Sequence, residues 1–144
     1  KARPGALNYA FSSIGSSDHV AAELLKSMAG INIVGIAYKT NVQQIADVMS
    51  GEVQLTFQSG SKTAPFIKSG RLRALAVASS QPSDLASGLP TMASSGLPGF
   101  ESVAMFSIYA PAKTPEIVVN RLNRQIVRII NQADIKQKFF LRNE

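Results

Sequence analysis

Leu7-Asn8-Tyr9-Ala10-Phe11-Ser12-Ser13-Ile14-Gly15-Ser16-Ser17-Asp18-His19-Val20 carries the reading on which the fold turns. Leu7–Phe11 is a short apolar run that predicts a strand entering a serine-rich loop. Ser16 or Ser17 is expected to cap the helix that follows, because a hydroxyl there accepts from a backbone N–H two or three residues on. Asp18 in the first turn suits the positive end of the helix dipole. Val20, Leu24, Leu25 and Met28 recur at helical spacing and predict its apolar face. Gly30 closes it as a left-handed cap. A strand, a short loop and a helix in this order form the unit from which parallel sheets are built.

The same unit repeats downstream. Ile31–Ala37 is rich in β-branched residues and predicts a second strand. Tyr38-Lys39-Thr40 then leads to Asn41 as a cap, with Gln44 at capping-box spacing. Ile45, Val48 and Met49 face inward and Gly51 terminates. Val53–Phe57 alternates as a third strand. Gln58–Thr63 is a loop before a short helix, with Pro65 in an early turn and Gly70 at its end. Leu72–Ala78 predicts a fourth strand and Ser102–Ala110 a fifth, the latter apolar in both phases and expected to be covered on both faces. Thr91–Ser95 predicts a helical turn ended by Gly96. Thr114 as cap, Pro115 at the first position and Glu116 after it start a strong helix. Its stripe is Val118, Leu122, Ile126, Ile129 and Ile130. Asp134–Glu144 reads as helical. The fold class is therefore α/β, a mostly parallel sheet flanked by helices.

The chain has 144 residues, 45% of them hydrophobic, enough for a domain with a real core. No run approaches the roughly 20 apolar residues that span a bilayer. There is no cysteine and one histidine, which excludes disulfides, thiolate metal sites and a multi-histidine metal centre within the chain. Net charge is +6, of which +2 falls in residues 1–103 and +4 in 104–144. The basic residues are scattered with few aromatics among them, so nucleic acid is not the expected partner. Mild positive charge equally suits a carrier of small anions. No apolar segment of the signal-peptide kind is visible at the start, so the chain is read as one from which it was removed or as part of a longer protein.

Ligands of open parallel sheets bind beyond the carboxyl ends of the strands. Three loops occupy that position. In the first, Ser12, Ser13, Ile14, Gly15, Ser16 and Ser17 bring hydroxyls and backbone N–H groups to a helix N-terminus, which attracts anions. An ordinary capped turn has the same composition, and the residues alone leave both readings open. Tyr38 could hydrogen-bond or stack on a ligand, or cover the core with a wet hydroxyl. A nucleotide site lacks its glycine pattern. A serine nucleophile lacks its elbow and its base, His19 being the sole histidine, and Lys39 is more simply a solvated loop lysine. No catalytic residue, metal ligand or cofactor is expected. Arg121, Arg124 and Arg128 read as the solvated face of the last long helix.

Several stretches in order resemble the Bug-type receptors of tripartite tricarboxylate transporters. They are Leu7–Ala10 with Ser12–His19, Ala37-Tyr38-Lys39-Thr40-Asn41, Gly51–Phe57, Ile67–Val77, Leu89-Pro90-Thr91-Met92 with Ser95–Glu101, and Tyr109–Pro115 leading to Arg121-Leu122-Asn123. The resemblance implies a two-lobed, Venus-flytrap solute-binding protein of type II topology, periplasmic, not an enzyme. It implies that a small carboxylate is captured between lobes and passed to the membrane components of the transporter. Residues 1–103 would be the second lobe, and 104–144 the crossover strand and helices belonging to the first. Ser12–Ser17 would grip the carboxylate, with Tyr38, Gln58 and Ser59 lining the rest. Ser13 stands where the family has Gly, and Phe11 is expected to add bulk at the mouth. The alternative is a truncated, non-binding remnant that forms a homodimer or swaps segments to cover exposed apolar surface.

Overall fold

A computed structural model describes residues 5–83, 86, 88–104 and 107–135 of the chain. The chain divides into two compact units, Lys1–Ala104 and Met105–Glu144. In the first, the elements run β1 (Asn8–Phe11), α1 (Ser17–Ala29), β2 (Val34–Ala37), α2 (Asn41–Ser50), β3 (Leu55–Thr56) and α3 (Gly60–Lys68). The strands form one parallel sheet in the order β2-β1-β3. Register pairs Tyr9 with Gly35 and Leu55, and Ala10 with Ile36 and Thr56.

The central strand supplies the core. Tyr9, Phe11, Ala22 and Ile33 are buried together, with Ile31, Leu55 and Phe57 packed against them. Burying one side chain the size of Phe contributes roughly 1.5–3 kcal/mol. Phe11 therefore belongs to the core and adds no bulk at the mouth of the loop. The turned-in face of α1 is also not the expected one. Ala21 and Ala22 are buried, while Val20 and Met28 are exposed. Two small residues let the helix approach the large Tyr9 and Phe11 rings. Gly35 meets the same demand from β2. A Cβ there would lie 2.7 Å from the Tyr9 ring and 3.0 Å from Phe11.

The strand ends and caps shift from expectation by a few residues. Ile31–Ala37 shortens to Val34–Ala37 and Val53–Phe57 to Leu55–Thr56. The cap of α2 is Thr40, whose hydroxyl accepts from Gln43 N–H at 3.3 Å, so no capping box forms from Asn41. Helix α3 begins at Gly60, which places Pro65 inside it rather than in an early turn. The predicted fourth strand is absent as a strand. Among the described residues its ladder contact is an isolated parallel bridge of Val77 with Thr91, and Leu75 is exposed. Of the predicted fifth, Ser102 N–H donates to Ala78 O at 2.9 Å, and Val103, Ile108 and Tyr109 are exposed. Residues 105 and 106 lie outside the described residues. Apolarity in both phases signals a covered strand, but the described residues supply no cover.

In the second unit, α4 spans Glu116–Ile130. Pro115, not Thr114, is its cap, and the Pro115 carbonyl accepts from Val118 and Val119 N–H. The apolar stripe is real, yet Val118, Leu122, Ile129 and Ile130 are 42–51% exposed and no α4 residue is buried. Of the predicted last helix, residues 136–144 lie outside the described residues.

Candidate functional site at the strand ends

Parallel register brings the three predicted loops to one edge. Phe11 pairs with Ala37 and Ala10 with Thr56. Continuing those registers sets Ser12, Tyr38 and Gln58 level at the carboxyl ends of the strands. Tyr38 N–H extends the ladder by donating to Phe11 O at 2.9 Å.

The central loop is organised around Asp18. This side chain is buried, and its carboxylate collects five donors. Ser12 N–H reaches Oδ2 at 2.7 Å and Gln44 Nε2 the same oxygen at 3.3 Å. Ser12 Oγ reaches Oδ1 at 3.0 Å, His19 N–H at 3.1 Å, and the Ser16 hydroxyl also points at it. Ser16 Oγ faces the Ser13 carbonyl as well, so its single proton serves one acceptor at a time. Burial raises the Asp18 pKa, but hydrogen bonds from Ser16, Gln44 and Ser12 outweigh it and hold the group below the usual carboxylate range. Ser16 is the cap of α1 by backbone conformation, but its side chain bonds no helix N–H. Asp18 has taken over the hydroxyl that the sequence assigns to capping.

The rest of the loop is tied more loosely. Ser13 N–H donates to Ser16 Oγ at 3.3 Å, and Gly15 N–H to His19 Nδ1 at 3.3 Å. That contact needs an unprotonated Nδ1. His19 in turn packs on Phe11, ring centroids 4.7 Å apart. Gly15 has φ of 81°, and among the described residues no non-glycine residue has positive φ, so Ser13 carries no backbone strain. Three backbone N–H groups have no acceptor among the described residues: Ile14, Ser17 and Asp18. The Ser13 and Ser17 hydroxyls are likewise without partners there. Ser12, Ser13, Ile14, Gly15 and Ser17 are exposed.

Tyr38 is half-buried. Burial first, then its contact with the Asp47 carboxylate, raises the phenol pKa. Ser59 caps α3 by conformation, and its hydroxyl pairs with Ser61 Oγ at 2.9 Å. Gln58 makes no hydrogen bond among the described residues, which leaves its amide available. Lys39 is exposed. Among the described residues no group of three acidic, histidine or cysteine side chains could hold a metal ion. No described helix is long and apolar enough to cross a membrane.

Sequence reasoning missed two members of this cluster. Asp18 reads as a dipole partner and Gln44 as a capping-box partner. Both are buried polar side chains, and only the fold shows that they meet.

A parallel α/β sheet of this kind binds ligands beyond the ends of its strands, and comparison shows which proteins share the arrangement. The R. palustris protein Rpa4515, solved with adipate, superposes with a TM-score of 0.91 at 32% identity, over 99% of this chain and 48% of that one. The periplasmic binding protein BugD superposes with a TM-score of 0.80 at 25% identity, over 99% and 48%. Protein BugT of Bordetella pertussis is 33% identical over 139 residues, 96% of this chain and 43% of its own length. The fold is shared with about half of each of these structures. The chain belongs to the tripartite tricarboxylate transporter receptor family, TctC, whose family model matches residues 1–142. It spans less than half the length of these relatives. The family is one of receptors, not enzymes.

Proposed function

We propose that this chain carries one side of an extracytoplasmic carboxylate-binding cleft and acts by capture, not catalysis. Loop 12–17 receives one carboxylate of a small ligand, and Tyr38, Gln58 and Ser59 line the adjoining space. The observation that carries this reading is the set of unpaired N–H groups on Ile14, Ser17 and Asp18 at the start of α1. Unpaired donors at the positive end of a helix dipole hold an anion without a full charge. The R. palustris relative solved with adipate supports a dicarboxylate of that kind. In the whole protein the ligand is closed over by a second lobe in the periplasm and passed to membrane components of a tripartite transporter.

Ser17→Pro tests the grip. Ser17 is the first residue of α1, where proline is accepted, and Ser16 already has the extended backbone that a following proline requires. The change deletes the Ser17 N–H together with its hydroxyl and leaves the helix intact. A hydrogen bond to a charged group is worth about 1.5–3 kcal/mol, so calorimetric titration with adipate should show affinity reduced by roughly tenfold or more. Binding of a neutral solute in preference to every carboxylate would sink the reading. The exposed stripe of α4 favours a second reading for the chain taken by itself, pairing with a copy through that face. A monomeric elution at high concentration rules it out.

A further inference from the structure

We infer that Asp18 is a tethered carboxylate filling the inner half of the loop's donor set, so that an external carboxylate docks only on the outer half. The inference rests on the reading of loop 12–17 as the ligand's docking edge, and it divides that edge into two parts. The inner part consists of Ser12 N–H, Ser12 Oγ, Ser16 Oγ and Gln44 Nε2, which converge on the two Asp18 oxygens. His19 N–H completes the set at Oδ1. Donors on both oxygens of one buried carboxylate are the arrangement expected around a bound anion. Here the anion comes from the chain. The outer part consists of the N–H groups of Ile14, Ser17 and Asp18 and the hydroxyls of Ser13 and Ser17, which have no partner among the described residues.

Two consequences follow for specificity. First, Ser12 and Ser16 do not contact the ligand directly. They hold Asp18, and Asp18 fixes the loop in the conformation that presents the outer donors, which makes it a positioning residue. Second, the ligand's carboxylate lies on the solvent side of a resident negative charge. The outer donors are neutral, and among the described residues no arginine or lysine side chain bonds the Asp18 carboxylate. A ligand end bearing one negative charge is therefore accepted, and one bearing two charges close together, such as a phosphate dianion or a geminal dicarboxylate, is disfavoured by like-charge repulsion.

The test removes the tethered carboxylate and offers a free one. Wild-type protein, Asp18→Ala and Asp18→Asn are titrated with formate at constant ionic strength and followed by Tm and calorimetry. Asp18→Ala should bind formate more than about tenfold more tightly than the wild type, since five freed donors regain an anion. Its Tm should rise saturably with formate, and not with chloride. Asp18→Asn keeps the side chain's volume in place and should show no rescue. Equal formate effects on all three proteins, or none on a folded Asp18→Ala, overturns the inference. Amide NMR of the wild type with adipate gives a reading that needs no variant. Ile14 and Ser17 N–H should shift, and Ser12 N–H should not. A Ser12 shift as large as theirs overturns the inference too. Absence of adipate binding to the wild type refutes the proposed function, and the formate rescue then still decides the role of Asp18.

Discussion

Gln44 Nε2, on α2, donates to the Ala10 carbonyl of the central strand at 2.9 Å from a side chain that is fully buried. The same nitrogen lies 2.8 Å from Thr56 Oγ1 and 3.3 Å from Asp18 Oδ2. One amide thus links α2, β1, β3 and the α1 residue that organises the site. Three acceptors around Nε2 orient the amide, and Oε1 is left buried without a partner. A half-satisfied buried amide is a specific connector bought at some expense in stability.

Substitutions at Gln44 should rank by what they leave behind. Gln44→Met keeps the volume and removes the unpaired oxygen, and Ala10 O retains its bond from Thr56 Oγ1 at 3.0 Å. The loss should be about 1–2 kcal/mol. Gln44→Ala adds a cavity and should cost about 2–4 kcal/mol. Gln44→Glu sets a second carboxylate against Asp18 and the Ala10 carbonyl, and should cost most at neutral pH. Urea unfolding of the three variants checks the order. Equal losses would mean that the amide does no more than fill space.

Gly35→Ala should destabilise the first unit by about 1–3 kcal/mol, the cost of overpacking a filled core. The added methyl meets the Tyr9 ring at 2.7 Å. That ring cannot swing away freely, because its hydroxyl donates to Glu23 Oε1 at 2.6 Å and Glu23 pairs with Lys26 at 2.7 Å. Gly35→Ala combined with Tyr9→Phe should lose less than the sum of the single changes. A double-mutant cycle by urea unfolding measures that coupling, and strict additivity would contradict it.

The sheet was legible because strand, loop and helix alternate with clear glycine and proline punctuation. The strand-end loops followed from the parallel order, and Tyr38 and Gln58 fall level with Ser12 as that order requires. The caps at Thr40 and Pro115 differ by one residue from Asn41 and Thr114, within the ambiguity of any helix end. The larger departures share one cause. Val20 and Met28 look like core residues, and Asp18 and Gln44 like surface ones. Periodicity ranks side chains by hydrophobicity, whereas here small alanines face two large rings and two polar groups bond each other inside. Leu72–Ala78 and Ser102–Ala110 have the composition of strands, but a strand is defined by a hydrogen-bonded neighbour, which composition cannot supply.

Alkaline titration should reveal Tyr9. Burial, then the hydrogen bond and charge of Glu23, push its phenol pKa up to about 12. The ordinary value is about 10. Because the folded protein holds this proton more tightly than the unfolded chain, the contribution is fully present below pH of about 10 and is lost as pH rises towards about 12. Tyr9→Phe should flatten stability across that window, at the expense of the Glu23 bond at neutral pH. Denaturant midpoints measured from neutral to alkaline pH supply the check, and an unchanged alkaline slope in the variant would assign the loss to other groups.

Acid titration reads Asp18 with the opposite sign. Its pKa lies below the ordinary carboxylate value of about 3.9. Its contribution is therefore present above that value and lost as pH falls through the depressed pKa. Asp18→Asn should be less stable than the wild type at neutral pH, and the gap should narrow as the pH is lowered. Unfolding midpoints of the two proteins along a common pH series measure it. A gap independent of pH would show that the five donors on this carboxylate do not discriminate its charged form.

The stripe on α4 makes a prediction that separates folding from exposure. Leu122 is 49% exposed and Ile129 47%. Neither is buried in the described structure, so Leu122→Glu and Ile129→Lys should each change the chain's stability by no more than about 0.5 kcal/mol, as surface changes do. Both should reduce the binding of an apolar dye, since they interrupt a contiguous apolar face on an otherwise polar helix. Urea midpoints and dye fluorescence on the same samples test the pair of statements. A large loss of stability in dilute monomer would show that the α4 stripe is covered within the chain. A loss that grows with protein concentration would show instead that a second copy covers it.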